Sequence, residues 1–185
     1  SNGTLVFGAG NEVTHSLSDI YGVGDTTSLK DAKKAQDALK NAVKSNAGGA
    51  VLAIGGANKA DWARKSQLIG VGNTLTGASS AVSEYNMING YKNEVTNATH
   101  TSIIGSNNTA TNIQSTTVMG DNNDLTGNGN HVIGDNHKVN GKNNILIGNN
   151  KEQKTHSGSD SVIIGNNASA GNGSMAIGNE AHAGK

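Results

Sequence analysis

Pairs of apolar residues followed by glycine recur along this chain at nearly constant spacing. Gly105, Gly120, Gly134 and Gly148 each end such a pair, and they are 15, 14 and 14 residues apart. The column continues in both directions and comprises Gly8, Gly55, Gly70, Gly90, Gly105, Gly120, Gly134, Gly148, Gly165 and Gly178. A fixed period of this length is typical of repeat architectures, in which each unit is too small to bury its own apolar face and stacks on its neighbours.

Two adjacent apolar columns precede this glycine. The residue directly before it is apolar in every repeat except the one containing Asn89, and the residue two before it is apolar throughout. Because neighbouring residues of a strand point to opposite faces, the two columns predict that both faces of this strand are covered. One face is expected to line the interior of a coil, and the other is expected to lie against another subunit.

A second short strand is predicted five residues after the glycine. An apolar residue is followed there by threonine, as in Leu75-Thr76 and Val95-Thr96, which predicts one face inside and one outside. A turn follows, at Gly77, Asn97, Asn112, Gly127 and Gly141. Glycine and asparagine suit turns because they tolerate positive φ. A column of asparagines two residues after the glycine is expected to fix a turn and to form side-chain ladders between coils: Asn107, Asn122, Asn136, Asn150 and Asn167.

Residues 26 to 47 leave the repeat pattern and predict one inserted α-helix. Apolar residues recur there at helical spacing with lysines around them, Ser28 can cap the start, and Gly48-Gly49 ends the segment. The rest, residues 1 to 24 and 50 to 185, is predicted to form a single repeat domain. The lysine-rich helix surface, including Lys34, has two interpretations: a face that binds an acidic partner, or an ordinary solvated face.

Two lengthened repeats predict surface loops, one containing Tyr85 and one covering residues 151 to 160. Trp62 and Arg64 lie in a turn region, and Tyr91 directly follows a repeat glycine. Aromatic and arginine side chains are frequent anchors of interfaces. The candidate receptor-binding residues are therefore Trp62, Arg64, Tyr85, Tyr91 and Lys34. For Trp62 the alternative is that it covers the edge of the inserted helix.

Composition removes several classes of function. Only 34% of the 185 residues are hydrophobic and 3% aromatic, too few for an ordinary globular core, yet the regular columns argue against disorder. The net charge is zero, so no nucleic-acid partner or contact with an anionic membrane is expected. Neither a signal peptide nor an apolar run of membrane-spanning length is present, which predicts either a cytosolic protein or a segment of a larger exported one.

Candidate chemistry is sparse. No Ser-His-acid set or phosphate-binding glycine loop is recognisable, so neither an enzyme nor a cofactor is predicted. His131 and His137 come from one coil, where a metal shared with a neighbouring chain is one interpretation and solvated side chains are the favoured one. Asp121, Asp124 and Asp135 lie in glycine- and asparagine-rich turns but lack the calcium-repeat motif, so no calcium site is expected.

The last repeats carry a family resemblance. The segments SVIIG at 161 to 165 and SMAIG at 174 to 178 are followed by ASAG and AHAG. These resemble the head repeats of YadA-like trimeric autotransporter adhesins. The resemblance implies a left-handed parallel β-roll of three chains, displayed on a Gram-negative cell surface and anchored in the outer membrane through regions C-terminal to this segment. The early repeats differ from the family pattern by an asparagine three residues after the glycine, at Asn11, Asn58, Asn73 and Asn93.

The predicted fold class is thus all-β, a homotrimeric left-handed parallel β-roll of 14–15-residue repeats with one inserted helix. The predicted function is multivalent, non-catalytic attachment to host-cell, extracellular-matrix or bacterial surface receptors, whether protein or glycan. One alternative is a structural spacer of a surface fibre. Others are a hexapeptide-type acyltransferase, which would repeat an aliphatic residue every six positions, and an ice-binding solenoid, which would need a regular Thr-x-Thr row.

Overall fold

The structure is a computed structural model and describes residues 4–16, 29–44 and 50–184. Its strands pair in parallel from coil to coil, which gives a β-solenoid of about nine turns and one α-helix. The predicted stacking of repeats is therefore confirmed. Among the described residues, no helix is long and apolar enough to cross a membrane.

The strands that carry the repeat glycine, or end beside it, form one ten-stranded parallel sheet, here called the first sheet. They are β1 (Leu5–Ala9), β3 (Val51–Gly56), β6 (Ser66–Val71), β9 (Met87–Tyr91), β11 (Ser102–Ser106), β13 (Thr117–Met119), β15 (His131–Ile133), β17 (Ile145–Ile147), β19 (Val162–Ile164) and β21 (Met175–Ile177). Equivalent repeat positions lie opposite each other, as in Ile103 and Val118. The register of this sheet is the register of the sequence repeat.

The predicted second strand of each repeat builds the second sheet. Its members are β2 (Glu12–Thr14), β4 (Lys59–Asp61), β7 (Thr74–Thr76), β10 (Glu94–Thr99), β12 (Thr109–Gln114), β14 (Asp124–Leu125), β16 (His137–Val139) and β18 (Lys154–His156). In the last coils β20 (Ser169–Ala170) pairs separately with β22 (His182–Ala183). Leu75 and Val95 of this sheet are buried, whereas the threonines that follow them are half-buried, as the alternation predicted.

Two strands per repeat is an incomplete description of the longer coils. After the second sheet the chain turns at a residue with positive φ, such as Asn97 or Asn112, and stays extended for two more residues. β5 (Ala63–Arg64) and β8 (Ser83–Glu84) pair with each other on this third face, and Glu84 lies opposite Thr99 at the end of β10. The extra face forms because its first residue in each coil, as in Ala63 and Ala98, is buried.

The core is a narrow stack of small aliphatic side chains. The residue two before each repeat glycine points inward, and Leu68, Ile88, Ile103, Val118 and Val132 are completely buried. The residue directly before the glycine points outward. Because each coil contributes only two or three apolar side chains, no large aromatic core is needed, which explains the low hydrophobic content.

The repeat glycine is required by both backbone conformation and close packing. Gly105 has φ +137°, and a Cβ built there would lie 1.9 Å from the carbonyl oxygen of Gly120 in the next coil. At Gly127 and Gly141 the reason differs from the one predicted. No positive φ occurs there, but a Cβ on either glycine would lie 1.7 Å from a neighbouring carbonyl oxygen.

An asparagine ladder, half-buried at Asn11 and buried from Asn58 onward, runs through the coils three residues after the repeat glycine; its members are Asn11, Asn58, Asn73, Asn93, Asn108 and Asn123. At Asn93 the backbone N and Nδ2 both donate to Asn73 Oδ1, at 3.2 and 2.9 Å, and Nδ2 also donates to Gly105 O at 2.8 Å. The first four members of the ladder are the residues at which the early repeats differ from the family pattern. Each one satisfies a glycine carbonyl that the next coil leaves inside the solenoid.

The sequence predicts an asparagine ladder two residues after the repeat glycine, and this prediction is only partly right. Asn107, Asn122 and Asn136 adopt the left-handed conformation with φ of 55°, 56° and 62°, so they fix the turn as expected. Asn122 Nδ2 also donates to Asn136 Oδ1 at 2.7 Å on the exposed side. The continuous buried ladder, however, lies one residue further along the chain.

The inserted helix α1 (Leu29–Lys44) lies inside the predicted range of 26 to 47. Asp31 lies in its first turn, and Lys34 Nζ is 3.9 Å from the Asp31 carboxylate. None of the described side chains of the helix is buried. The expected caps at Ser28 and Gly48-Gly49, and the weak repeat at residues 19 to 25, lie outside the described residues.

Candidate receptor-binding surfaces

The outer face of the first sheet is an exposed apolar stripe. It is formed by the residue directly before each repeat glycine, with Ile133 46% exposed and Ile177 64% exposed. Its most exposed large members are Phe7, Ile104, Met119, Ile133, Ile147, Ile164 and Ile177. A stripe that continues from coil to coil at about 4.8 Å spacing far exceeds scattered surface hydrophobes, and contiguous apolar patches mark interaction sites. This stripe is one candidate surface.

A second candidate surface begins where the second sheet turns into the third face. The His15 ring stacks on the Trp62 indole with centroids 4.9 Å apart and planes 7° from parallel. His15 Nδ1 is 2.8 Å from Asp61 Oδ1, and Thr14 Oγ1 donates to the same oxygen at 2.8 Å. The hydrogen bonds from His15 and Thr14 lower the pKa of Asp61. The indole of Trp62 is therefore held on one side by the His15 ring. Its backbone is fixed as well, since Trp62 adopts the left-handed conformation of the turn with φ 50°.

Three side chains stack on the opposite side of β5, at the next corner. Lys65, Tyr85 and His100 occupy this corner in successive coils with φ of 48°, 59° and 51°. The Tyr85 and His100 rings stack with centroids 4.7 Å apart, and Lys65 Nζ lies 4.8 Å from the Tyr85 ring centroid. Lys65 Nζ is also 3.1 Å from Tyr85 Oη and 3.5 Å from Glu84 Oε1. The Tyr85 hydrogen bond, with the Glu84 charge, raises the pKa of Lys65.

The prediction that Tyr85 lies in a loop is wrong. Ser83 and Glu84 form β8, and Tyr85 directly follows this strand at a corner of the coil. The extra length is confined to residues 78 to 82, where Ala78 and Ala81 form an isolated bridge. The extra residues protrude between β7 and β8. The pairing of these strands with the neighbouring coils therefore keeps the register of the repeat.

The structure gathers three of the five predicted receptor-binding residues. Trp62, Arg64 and Tyr85 lie on the third face and the two corners that flank it; we call this surface the aromatic edge, together with His15, Lys65 and His100. Tyr91 lies apart from them, at the end of β9 in the first sheet, and Lys92 Nζ is 5.1 Å from the centroid of its ring. Lys34 lies on α1. Whether these residues bind a receptor remains a prediction.

Sequence reasoning missed His15, Lys65 and His100. A usable signal existed, since Lys65 and Tyr85 are 20 residues apart, as are Gly70 and Gly90, and Tyr85 and His100 are 15 apart, as are Gly90 and Gly105. Residues that share a repeat phase lie side by side.

A polar cluster also lies inside the coil, at His137 and His156. The prediction of a solvated His137 is wrong, because this residue continues the asparagine ladder and is only 4% exposed. Its backbone N donates to Asn123 Oδ1 at 2.9 Å, and its Nε2 is 2.6 Å from Gly148 O. His156 lies opposite Val139 in β18, within the segment predicted as a loop. Burial lowers the pKa of both imidazoles, and for His156 the neighbouring His137 lowers it further.

These two histidines predict that the fold is less stable in acid. Because their folded pKa values lie below the ordinary value near 6.5, the unfolded chain binds more protons, and stability falls as pH drops through about 6.5. Denaturant unfolding at pH 7.5 and 5.5 is expected to show this loss. A His137→Asn, His156→Val variant, built with the side chains of the preceding coil, should lose less; an equal loss in both proteins would contradict the assignment.

Among the described residues, no three His, Cys, Asp or Glu side chains are grouped to hold a metal ion. Two of the three aspartates considered for calcium instead accept backbone hydrogen bonds across coils. Ser106 N donates to Asp121 Oδ1 at 2.7 Å, and Asp121 N donates to Asp135 Oδ1 at 2.8 Å. Asp124 lies 3.8 Å from Lys138 Nζ across neighbouring strands.

No protein-family model matches the sequence, and no curated protein matches it. The fold itself defines a β-solenoid repeat protein, compatible with a structural or surface repeat protein.

Proposed function

We propose that this chain is the head of a YadA-like trimeric surface adhesin that attaches a bacterium by multivalent, non-catalytic binding. The observation that carries the proposal is the exposed apolar stripe on the first sheet. Three solenoids packed side by side, left-handed as the resemblance implies, would bury it. In this proposal the head stands on the bacterial surface, held at the outer membrane by regions C-terminal to this segment.

The geometry of the stripe favours copies of the same chain as its partners. The stripe runs the length of the first sheet in step with the coils, so an identical solenoid presents apolar side chains at the same spacing. A globular partner would match such a periodic row at only a few points. Closed rotational symmetry would cover all three stripes and leave the aromatic edge of each chain available for a ligand.

Ile133→Glu is expected to break the assembly without unfolding the coil. In a trimer three glutamates would be buried near one another, whereas in the isolated chain residue 133 is 46% exposed and tolerates a charge. Light scattering across a dilution series should report three chains for the wild type and one for the variant, with unchanged circular dichroism. Thr111→Glu, on the outward face of the second sheet, is the matched control and should remain trimeric. If the wild type instead has the mass of one chain, the proposed trimer is contradicted.

Attachment itself is expected to depend on the aromatic edge. Trp62 and Tyr85 are flat rings held by stacking, so binding a protein or glycan would cost little side-chain entropy, and three copies raise the effective concentration. The double variant Trp62→Ala, Tyr85→Ala should lower the binding of trimer-coated beads to extracellular matrix, cultured host cells or bacterial layers by roughly tenfold or more.

Thr111→Ala, on the outward face of the second sheet and outside both candidate surfaces, is the control for this measurement and should bind like the wild type. Equal binding by all three proteins would move the receptor site away from the aromatic edge. Wild-type beads that adhere to none of the surfaces would favour the spacer function instead.

A further inference from the structure

A cavity of about 100 Å³ lies inside the coil beside β18, away from both candidate receptor-binding surfaces. Leu146, Ile163, Ala168 and Ala170 form its apolar side, beside Ser169. Its polar side is formed by His137, Asn150, Lys154, Thr155, His156 and Ser157. A water needs about 10–15 Å³ on this measure, so the space holds several waters or one small polyatomic ion.

His156 brings an unsatisfied polar atom to this cavity. The side chain lies where the previous coil has Val139, and the residue is 7% exposed. Its Nε2 is buried without a hydrogen-bond partner. Buried polar atoms are almost always bonded, because leaving one unpaired costs free energy that a ligand or water would restore. Because His156 also lines the cavity, a ligand there is one way to supply the partner that Nε2 lacks.

Lys154 supplies a positive charge on the same wall. It lies opposite His137, at the position of the asparagine ladder, and its Nζ donates to Asn167 O at 2.7 Å. Two of its three N–H groups remain available, and no carboxylate of the described residues forms an ion pair with it. Asp and Glu are absent from the residues that line the cavity. The charge of the site suits an anion and opposes a cation.

We propose that this cavity binds one small inorganic oxyanion, of the size of sulfate or phosphate, between the Lys154 ammonium and a protonated His156. Lys154 provides a permanent charge, and His156 Nε2–H donates a charge-assisted hydrogen bond. Leu146 and Ile163 on the opposite wall limit the size of the ion. The proposal does not depend on the adhesin function.

Binding is coupled to proton uptake. Without an anion, burial, and then the neighbouring His137, lower the pKa of His156 more than the Gly158 backbone raises it, so the imidazole is neutral at pH 7. The charged or titratable groups near it are His137 on β16, Lys154 on its own strand, and His182, which contacts Ser169 in the next coil. A bound anion stabilises the protonated form of His156 and so raises its pKa. The affinity of the site for the anion therefore rises as pH falls.

The test is a sulfate titration of the intact protein, because sulfate keeps one charge state across the useful pH range. The wild type is expected to show a saturable rise in melting temperature at pH 5.5, with affinity increasing by up to about tenfold per pH unit below 7.5. His156→Val and Lys154→Met should retain only the gradual, non-saturating salt effect common to all variants. His131→Val, at an exposed histidine of the first sheet, should behave like the wild type.

Imidazole NMR provides a readout that does not require a variant to fold. Sulfate is expected to raise the pKa of His156 and to shift its Nε2 resonance, while leaving His131 unchanged. The proposal is overturned if the wild type shows no saturable response, if His156→Val responds as the wild type does, or if sulfate shifts His131 and His156 equally.

Discussion

Gly105→Ala is expected to cost at least about 4 kcal/mol of folding free energy, a large share of the roughly 5–15 kcal/mol by which an average domain is stable. Two effects add. The φ of +137° lies outside the region that L-residues adopt readily, and the new Cβ would lie 1.9 Å from Gly120 O and 2.7 Å from Gly120 C. Both of these are backbone atoms, so no side chain can move aside, and the coils must separate.

Separation of the coils would also break the hydrogen bond from Asn93 Nδ2 to Gly105 O, so the damage reaches the asparagine ladder. Urea unfolding measured by circular dichroism is the test, with expression of soluble protein as a first indication. Gly173→Ala is the matched control, because that glycine has φ +65° but no heavy atom within 4 Å of a built Cβ. The free energy of unfolding of Gly173→Ala should fall by about 1–2 kcal/mol, which is the cost of the left-handed conformation alone. Similar losses in the two variants would show that coil contact is not the cause.

Asn93→Asp is expected to destabilise the solenoid by about 3–5 kcal/mol at neutral pH, although the two side chains have nearly the same shape. Asn93 Nδ2 donates to Asn73 Oδ1 and Gly105 O, and the residue is 1% exposed. A carboxylate there would place a buried negative charge against two acceptor oxygens and remove both donated bonds.

The pH dependence identifies the cause. Burial next to acceptors should raise the pKa of the new carboxyl, so its destabilising effect, relative to the wild type at the same pH, should shrink as pH falls from 7 toward 4. Asn97→Asp is the control, because Asn97 makes an exposed bond to Asn112 Oδ1 and aspartate tolerates its φ of 50°. The free energy of unfolding of Asn97→Asp should be less than about 1 kcal/mol below that of the wild type at any pH. A loss at residue 93 that does not vary with pH would indicate a packing defect rather than a buried charge.

The oxyanion cavity arises where the ladder changes its chemistry. Asn123 is followed by His137 in the next coil and by Lys154 in the one after, while His156 replaces an aliphatic core residue. The substitutions occur beside the repeat that is lengthened between Gly148 and Gly165. A solenoid can accept such a local change because each coil contacts only its neighbours.

The sequence by itself determined the coil, because the physics of each repeat is local. The spacing of Gly105, Gly120 and Gly134 set the period, and the alternation around Ile103 and Ile104 separated an inward from an outward column. The two-residue alternation holds along an extended strand, so the first sheet could be read directly. The position of the inserted helix followed from an equally local periodicity.

Only the tertiary structure decided which side chains point inward after each corner of the coil. A residue in the left-handed conformation, such as Asn107 or Asn122, interrupts the alternation, so the sequence does not show which of two adjacent asparagine columns points inward. The burial of His137 and the stacking of Tyr85 on His100 depend on how lengthened repeats are brought back into register. Register across an insertion is fixed by contacts between coils, which are distant in sequence, and those contacts bring together the residues of both proposed sites.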